Sequence, residues 1–139
     1  MSARGAATGR TTIGALLEAA RVRLERLEPG TARAALEAGA LLIDTRGADA
    51  RRELGIIPGS VHVPLSVLFW RLDPSSESAD TALAATERQV ILVCAQGYSS
   101  SLAAATLLDL GFARATDVIG GFEAWAAAGL PVLPGENLP

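Results

Sequence analysis

The chain has 139 residues, half of them hydrophobic, and a formal net charge of −3, which suits a single domain with one apolar core. One cysteine excludes an internal disulfide, and together with one histidine it supplies too few ligands for a structural zinc site. All basic residues are arginines and they form no continuous basic face, so nucleic acid is not an expected partner.

The two ends of the chain have compositions typical of tails. Residues 1–11 are small and polar, without the apolar core of a secretory signal, and residues 134–139 are expected to form a short C-terminal tail. No run approaches the roughly 18 apolar residues of a membrane-spanning helix. We therefore expect a soluble, cytoplasmic protein that does not insert into a membrane.

Residues 12–26 place apolar side chains at helical spacing, with charges between them. This pattern predicts an N-terminal amphipathic helix that serves as a packing element. Its charged side chains are expected to lie on a solvated face: Glu18, Arg21, Arg23, Glu25 and Arg26.

Short apolar runs and helical patterns alternate from residue 27 to residue 133. Strands are predicted from the apolar runs at 41–44, 60–64, 89–93 and 115–119. Helices are predicted at 29–39, 65–72, 100–110 and 121–129. The segment 45–55 is rich in turn-forming residues. The alternation is typical of a parallel sheet with helices on its faces.

Cys94 directly follows the apolar run 89–93 and precedes a predicted helix. In a parallel sheet this position faces the crevice at the carboxyl ends of the strands, where ligands bind. The helix N-terminus and a loop that turns at Gly97 would direct backbone N–H groups at the thiol. Such a setting lowers the pKa of a cysteine and favours the nucleophilic thiolate. The alternative is a small, buried and unreactive cysteine.

Three segments resemble the rhodanese (sulfurtransferase) superfamily: LLIDTRGADARRELGIIPGSVHVPL at 41–65, ILVCAQGYSS at 91–100 and DVIGGFEAWAAAGLPV at 117–132. The resemblance implies a rhodanese-like α/β domain over residues 27–133, with a five-stranded parallel sheet and helices on both faces. The helix at 12–26 would then be an N-terminal extension.

The resemblance also implies a mechanism for Cys94. Its thiolate takes the outer sulfur of thiosulfate, a persulfide or a polysulfide, and passes it as a persulfide to a thiol or another nucleophile, including one on a protein. Neither a metal nor an organic cofactor is implied. Backbone amides and hydroxyls of the loop would bind the substrate: Ala95, Gln96, Gly97, Tyr98, Ser99 and Ser100.

Three residues near the carboxyl end of the first predicted strand are further candidates. Asp44 and Arg46 are expected to support the site as an ion pair or turn brace, with direct substrate contact as the alternative. Arg51 is the candidate for an arginine that reaches the substrate from a neighbouring loop, and its alternative is an ordinary surface position.

The loop departs from the family pattern at two positions. Many members carry Arg after the cysteine, where this chain has Ala95, and a cation or Thr at the last loop position, where it has Ser99. The missing charge predicts weak use of thiosulfate compared with persulfides. It also disfavours a phosphatase, whose longer loop ends in Arg. A catalytically weak or inactive binding module remains the alternative function.

Overall fold

The computed structural model describes residues 9–135. Of the two expected tails, residues 1–8 and 136–139 lie outside this range. The helices are α1 (Ile13–Val22), α2 (Pro29–Glu37), α3 (Ala48–Leu54), α4 (Leu68–Leu72), α5 (Ser99–Asp109) and α6 (Gly121–Ala127). The strands are β1 (Leu41–Asp44), β2 (Val61–His62), β3 (Val90–Val93) and β4 (Ala115–Asp117). No helix in this range is long and apolar enough to cross a bilayer.

The sheet has the order β2-β1-β3-β4 and all of its pairings are parallel. Strands β1 and β3 are buried throughout, because alternate residues pack into two cores on opposite faces. Leu41 and Leu92 join the core that α4 and α5 cover. Leu42 and Ile91 join the core that α2 and α6 cover. Helices therefore lie on both faces of the sheet, as predicted.

The prediction of five strands is wrong for the described residues, which form four. The place of a fifth strand beside β4 is held by Leu27 alone, through one isolated parallel bridge to Val118. The Leu27 N–H donates to the Asp117 carbonyl at 3.0 Å, and the Ile119 N–H donates to the Leu27 carbonyl at 2.8 Å. Pro29 begins α2 two residues later, and because proline has no N–H the ladder does not extend.

The segment 45–55 also differs from its prediction, since α3 occupies Ala48–Leu54 within it. Gly55 ends this helix with φ of +98°, and a Cβ there would lie 2.6 Å from the Leu133 carbonyl oxygen. Arg51 consequently lies on a helix and not in a loop.

Helix α1 begins after Thr12, whose hydroxyl accepts a hydrogen bond from the Ala15 N–H, and ends at Val22. It packs against α5 and buries Ala20. Residues 23–26 therefore lie beyond the helix, although the sequence pattern predicts helix through 26.

Candidate active site

Cys94 lies immediately after β3, at the centre of the carboxyl edge of the sheet, with 6% of its surface exposed. Its Sγ accepts a hydrogen bond from the Gly97 N–H at 3.1 Å. The Ser100 Oγ lies 3.2 Å from the same sulfur. The loop from Cys94 to Ser100 thus surrounds the sulfur with donors, which is the arrangement that stabilises an anion.

The conformation of the loop depends on close contact between glycines. Gly97 has φ of +83°, and a Cβ there would lie 2.8 Å from the Gly120 nitrogen. A Cβ on Gly121 would collide with the Cys94 carbonyl oxygen. The approach lets the Phe122 N–H donate to that oxygen at 2.8 Å, and the Glu123 N–H donate to the Ala95 carbonyl at 3.1 Å. The N-terminal turn of α6 therefore holds the first half of the loop.

The pKa of the Cys94 thiol lies below its ordinary value. Burial raises this pKa, but hydrogen bonds from the Ser100 and Ser99 side chains and from the Ser100 and Gly97 backbone amides outweigh that effect. The site therefore favours the thiolate, the form of cysteine that attacks sulfur and is readily displaced from it.

Ser100 connects the sulfur to a carboxylate that sequence patterns do not single out. Its Oγ lies 2.7 Å from Asp117 Oδ2, and Asp117 is fully buried at the end of β4. The hydroxyl has one proton, so it donates either to Asp117 or to the thiolate. Asp117 Oδ2 also accepts from Ser101 Oγ at 2.8 Å and from Arg26 Nη2 at 3.2 Å. The carboxylate thus stays satisfied when Ser100 turns to the sulfur.

The expectation that Arg21 and Arg26 lie on a solvated face is wrong. Arg21 Nη2 donates to the Gly97 carbonyl at 2.7 Å, and Arg26 Nη2 donates to the same oxygen at 3.1 Å. Arg26 Nε also donates to Asp117 Oδ1 at 2.8 Å. Arg23 differs from both, because it forms an exposed ion pair with Asp109 at 2.6 Å.

Asp44 and Arg46 form a bidentate ion pair in which Nε and Nη2 lie 3.0 and 2.9 Å from the two carboxylate oxygens. Arg51 is buried as well, and its Nε donates to Asp44 Oδ2 at 3.1 Å. Arg46 Nη1 has no hydrogen-bond partner among the described residues, and the guanidinium carbon lies 3.7 Å from the centre of the Phe122 ring. The three charged groups form one compact cluster beside the Cys94 strand.

Three other loop residues face outward. Ala95, Gln96 and Tyr98 are exposed, and Ser99 begins α5 half-buried. Gln96 Nε2 donates to Glu123 Oε2 at 3.1 Å, while the Arg21 guanidinium lies 5.5 Å from the centre of the Tyr98 ring. Within residues 9–135 no three side chains of His, Cys, Asp or Glu converge as metal ligands would.

Known proteins share both the sequence and the fold. The profile of the rhodanese-like domain matches residues 28–128. A protein named thiosulfate sulfurtransferase GlpE from Pseudomonas savastanoi pv. phaseolicola is 38% identical over 103 residues, which cover 74% of this chain and 88% of that protein.

Two solved structures extend the likeness. One, from Rhodopseudomonas palustris, is described as a protein of unknown function and possible tyrosine phosphatase; it has a TM-score of 0.82, is 31% identical, and the match covers 90% of this chain and 96% of that one. The polysulfide-sulfur transferase homodimer of Wolinella succinogenes has a TM-score of 0.70, is 26% identical, and the match covers 95% and 93%. The present chain belongs to the rhodanese-like domain family.

Proposed function

We propose that the protein is a rhodanese-type sulfurtransferase that carries a sulfane sulfur on Cys94. The observation that carries the proposal is the Cys94 sulfur itself, bonded by the Gly97 N–H and facing the Ser100 hydroxyl at the carboxyl edge of the sheet. Relatives named as thiosulfate sulfurtransferase and polysulfide-sulfur transferase support the enzyme class.

In the first step the Cys94 thiolate attacks the outer sulfur of the donor. A new S–S bond forms to Cys94 and the S–S bond of the donor breaks. The electron pair leaves with the donor, as sulfite from thiosulfate or as a thiolate from a persulfide or polysulfide. The loop amides and the Ser100 hydroxyl then face the terminal sulfur of the Cys94 persulfide, where the negative charge now lies.

In the second step a thiol, another small nucleophile or a nucleophilic group on a protein attacks that terminal sulfur. The bond to Cys94 breaks and its thiolate is restored. A low thiol pKa speeds this step, because a more acidic thiol is a better leaving group. In each step the bond from the transferred sulfur to the incoming nucleophile replaces the S–S bond that breaks, and no external oxidant or reductant is needed, so the residues of this chain suffice and neither a metal nor an organic cofactor takes part. The chemistry requires a reduced cysteine, in keeping with a cytoplasmic setting.

The direct test is the mass of the intact protein after incubation with thiosulfate or a low-molecular-weight persulfide. We expect a gain of one sulfur atom at Cys94, its loss on addition of cyanide, and no gain in Cys94→Ser. The serine variant keeps the shape of the side chain but cannot carry the sulfane sulfur, and circular dichroism establishes that it is folded.

Two outcomes would contradict the proposal. A folded protein that gains no sulfur from either donor would favour a binding module with an inert cysteine. Hydrolysis of an aryl phosphate that depends on Cys94 would favour a phosphatase, although Ser99, Ser100 and Ser101 open α5 where a phosphatase loop would end in Arg.

A further inference from the structure

Two cations reach the Cys94 loop from outside it. Arg21, in the last turn of α1, and Arg26, in the segment that follows, both donate to the carbonyl oxygen of Gly97, at 2.7 and 3.1 Å. Both are half-buried, and Arg26 has only 15% of its side chain exposed. One carbonyl oxygen therefore accepts two charge-assisted hydrogen bonds, which are the strong kind.

The Gly97 carbonyl sets the orientation of the peptide that joins Gly97 to Tyr98. Gly97 donates its own N–H to the Cys94 sulfur while its carbonyl is bonded to the arginines. The peptide between Gly97 and Tyr98 is trans, as are all peptide bonds in the described residues, so the Tyr98 N–H points away from the arginines. Holding this oxygen therefore fixes the orientation of the Tyr98 N–H on the opposite side of the loop.

The same arginines connect to the hydroxyls behind the sulfur. Arg26 Nε pairs with the buried Asp117, which accepts from Ser100 and Ser101. Arg21 Nε donates to Ser101 Oγ at 3.1 Å. The contacts therefore form one network that begins at the two guanidinium groups and ends at the Cys94 sulfur.

We propose that Arg21 and Arg26 are positioning residues of the Cys94 loop, which orient its donors through the Gly97 carbonyl and through Asp117. Neither is a catalytic residue, since their contacts are with the loop and its supports. They lie before residue 28, where the match to the family begins. They place positive charge next to a loop in which Ala95 and Ser99 supply none.

The segment that carries them is itself held in place at two points. Helix α1 packs against α5, the helix that continues the loop. Leu27, the residue after Arg26, pairs with the backbone at the end of β4: its N–H donates to the Asp117 carbonyl, and its carbonyl accepts from the Ile119 N–H. The N-terminal segment is on these grounds part of the active site and more than a packing element.

The test compares Arg21→Gln with Arg23→Gln. Both substitutions remove one positive charge from the same segment, but Arg23 pairs only with the exposed Asp109 in the described structure. We expect Arg21→Gln to move the pH midpoint of Cys94 alkylation upward and to lower kcat/KM for sulfur transfer about tenfold or more, because a charge-assisted hydrogen bond to the loop is lost. Arg23→Gln should leave both quantities at the wild-type value.

Arg21→Lys and Arg26→Gln complete the series. Lysine keeps the charge and one donor, so Arg21→Lys should recover part of the kcat/KM lost in Arg21→Gln. Arg26→Gln should raise the pH midpoint of Cys94 alkylation, as Arg21→Gln does. Circular dichroism and thiol stoichiometry give the folded fraction of each variant, to which the alkylation is referred. A purely structural role would lower the melting temperature without moving the alkylation midpoint.

The tests of positioning and of sulfur transfer are separable, although the turnover readout rests on the proposed function. If the wild type transfers sulfur and Arg21→Gln matches Arg23→Gln in alkylation midpoint and kcat/KM, the positioning role is wrong. If the wild type transfers no sulfur but the alkylation midpoint still moves only in Arg21→Gln and Arg26→Gln, the proposed function is wrong and the positioning role stands.

Discussion

Two buried carboxylates flank the strand that leads to Cys94, and they differ in what surrounds them. Asp44 is the last residue of β1 and Asp117 the last of β4, the two neighbours of β3 in the sheet. Both are fully buried and both pair with arginine. The same chemical pair therefore occurs twice at the carboxyl edge of the sheet, on either side of β3, with Asp44 in register with Val93 and Asp117 in register with Leu92.

The partners of Asp44 are local and buried. Arg46 donates to it from two side-chain nitrogens and from the backbone N–H, and also donates to the Gly55 carbonyl at 2.8 Å. Arg51 completes the cluster from α3. Burial raises the pKa of Asp44, but the hydrogen bonds and charge of Arg46, with a further bond from Arg51, lower it below its ordinary value. In the described structure none of these bonds goes to the Cys94 loop.

The partners of Asp117 come from distant parts of the chain. Arg26 reaches it from the N-terminal segment, while Ser100 and Ser101 reach it from α5. All three partners also contact the loop or the sulfur directly. A buried ion pair whose partners bond only to one another supports the fold, whereas one whose partners also bond to the loop and to the reactive sulfur supports the site.

The largest expected effect is on stability, from Asp44→Asn. The change leaves Arg46 and Arg51 buried without a counter-charge, and breaking such a cluster costs about 3–5 kcal/mol. Urea unfolding followed by circular dichroism measures the loss. The alkylation midpoint of Cys94, per folded molecule, should not move. If the midpoint moved while stability stayed near wild type, the two carboxylates would have the opposite roles.

The acid dependence of stability provides a check on the same variant. Because the pKa of Asp44 is lower in the folded state, its carboxylate stabilises the fold above its ordinary pKa, and that contribution is lost as pH falls through the lowered folded pKa. Asp44→Asn should therefore show a flatter decline in stability at acid pH than the wild type.

Asp117→Asn is expected to cost less stability than Asp44→Asn and, unlike it, to lower activity. Asparagine still offers an oxygen acceptor, and Arg26 can reach water because its side chain is partly exposed, so the cost should be about 1–3 kcal/mol. Loss of the ion pair releases Arg26 from its orientation on the Gly97 carbonyl, and kcat/KM should fall about tenfold. Turnover at the wild-type rate, together with a stability loss as large as that of Asp44→Asn, would show that Asp117 supports the fold in the same way as Asp44 and not the site.

Ser100→Ala isolates the link between Asp117 and the sulfur. The Ser100 hydroxyl lowers the pKa of Cys94, so its removal should raise the pH at which alkylation reaches half its maximal rate. In the wild type this midpoint should lie below about 8.5, the value of a free cysteine. Thr106→Ala is the matched control, since it removes an exposed hydroxyl of the same helix that bonds only to the Leu102 carbonyl. Equal midpoints in the two variants would contradict the role of Ser100.

Sequence patterns predict the parts of this site that depend on neighbours in the chain. The unbroken apolar run before Cys94 indicates a central buried strand, and the strand-loop-helix order around Gly97 indicates an anion-binding loop. The Asp44–Arg46 pair is also visible, because the two residues lie two positions apart.

The roles of Arg21, Arg26 and Asp117 are not visible in the sequence, because they depend on tertiary contacts across 71 to 91 positions. Arginines among glutamates on an amphipathic pattern look the same whether they face water or a carbonyl oxygen. The helix also ends at Val22, so Arg26 leaves the face that a helix through residue 26 would give it. The pairing of Leu27 is likewise limited to one residue by Pro29, and no apolar pattern in the sequence indicates it.

The last prediction concerns the donor, and Ala95→Arg tests it. Thiosulfate carries two negative charges, and desolvating them in a cleft is costly without charged partners. Arg21 and Arg26 are directed at the Gly97 carbonyl, so their hydrogen bonds support the loop and are not directed at the donor.

Ala95 is exposed beside Cys94, where a new guanidinium has room to reach an anion. We expect kcat/KM for thiosulfate to rise about tenfold, the value of one charge-assisted hydrogen bond. The rate with a low-molecular-weight persulfide should stay near wild type, because its charge lies at the transferred sulfur and is met by the loop amides. Ala95→Gln, which adds length without charge, should improve neither donor. Efficient use of thiosulfate by the wild type, with no gain in Ala95→Arg, would show that Arg21 and Arg26 already supply the donor's counter-charge from behind the loop.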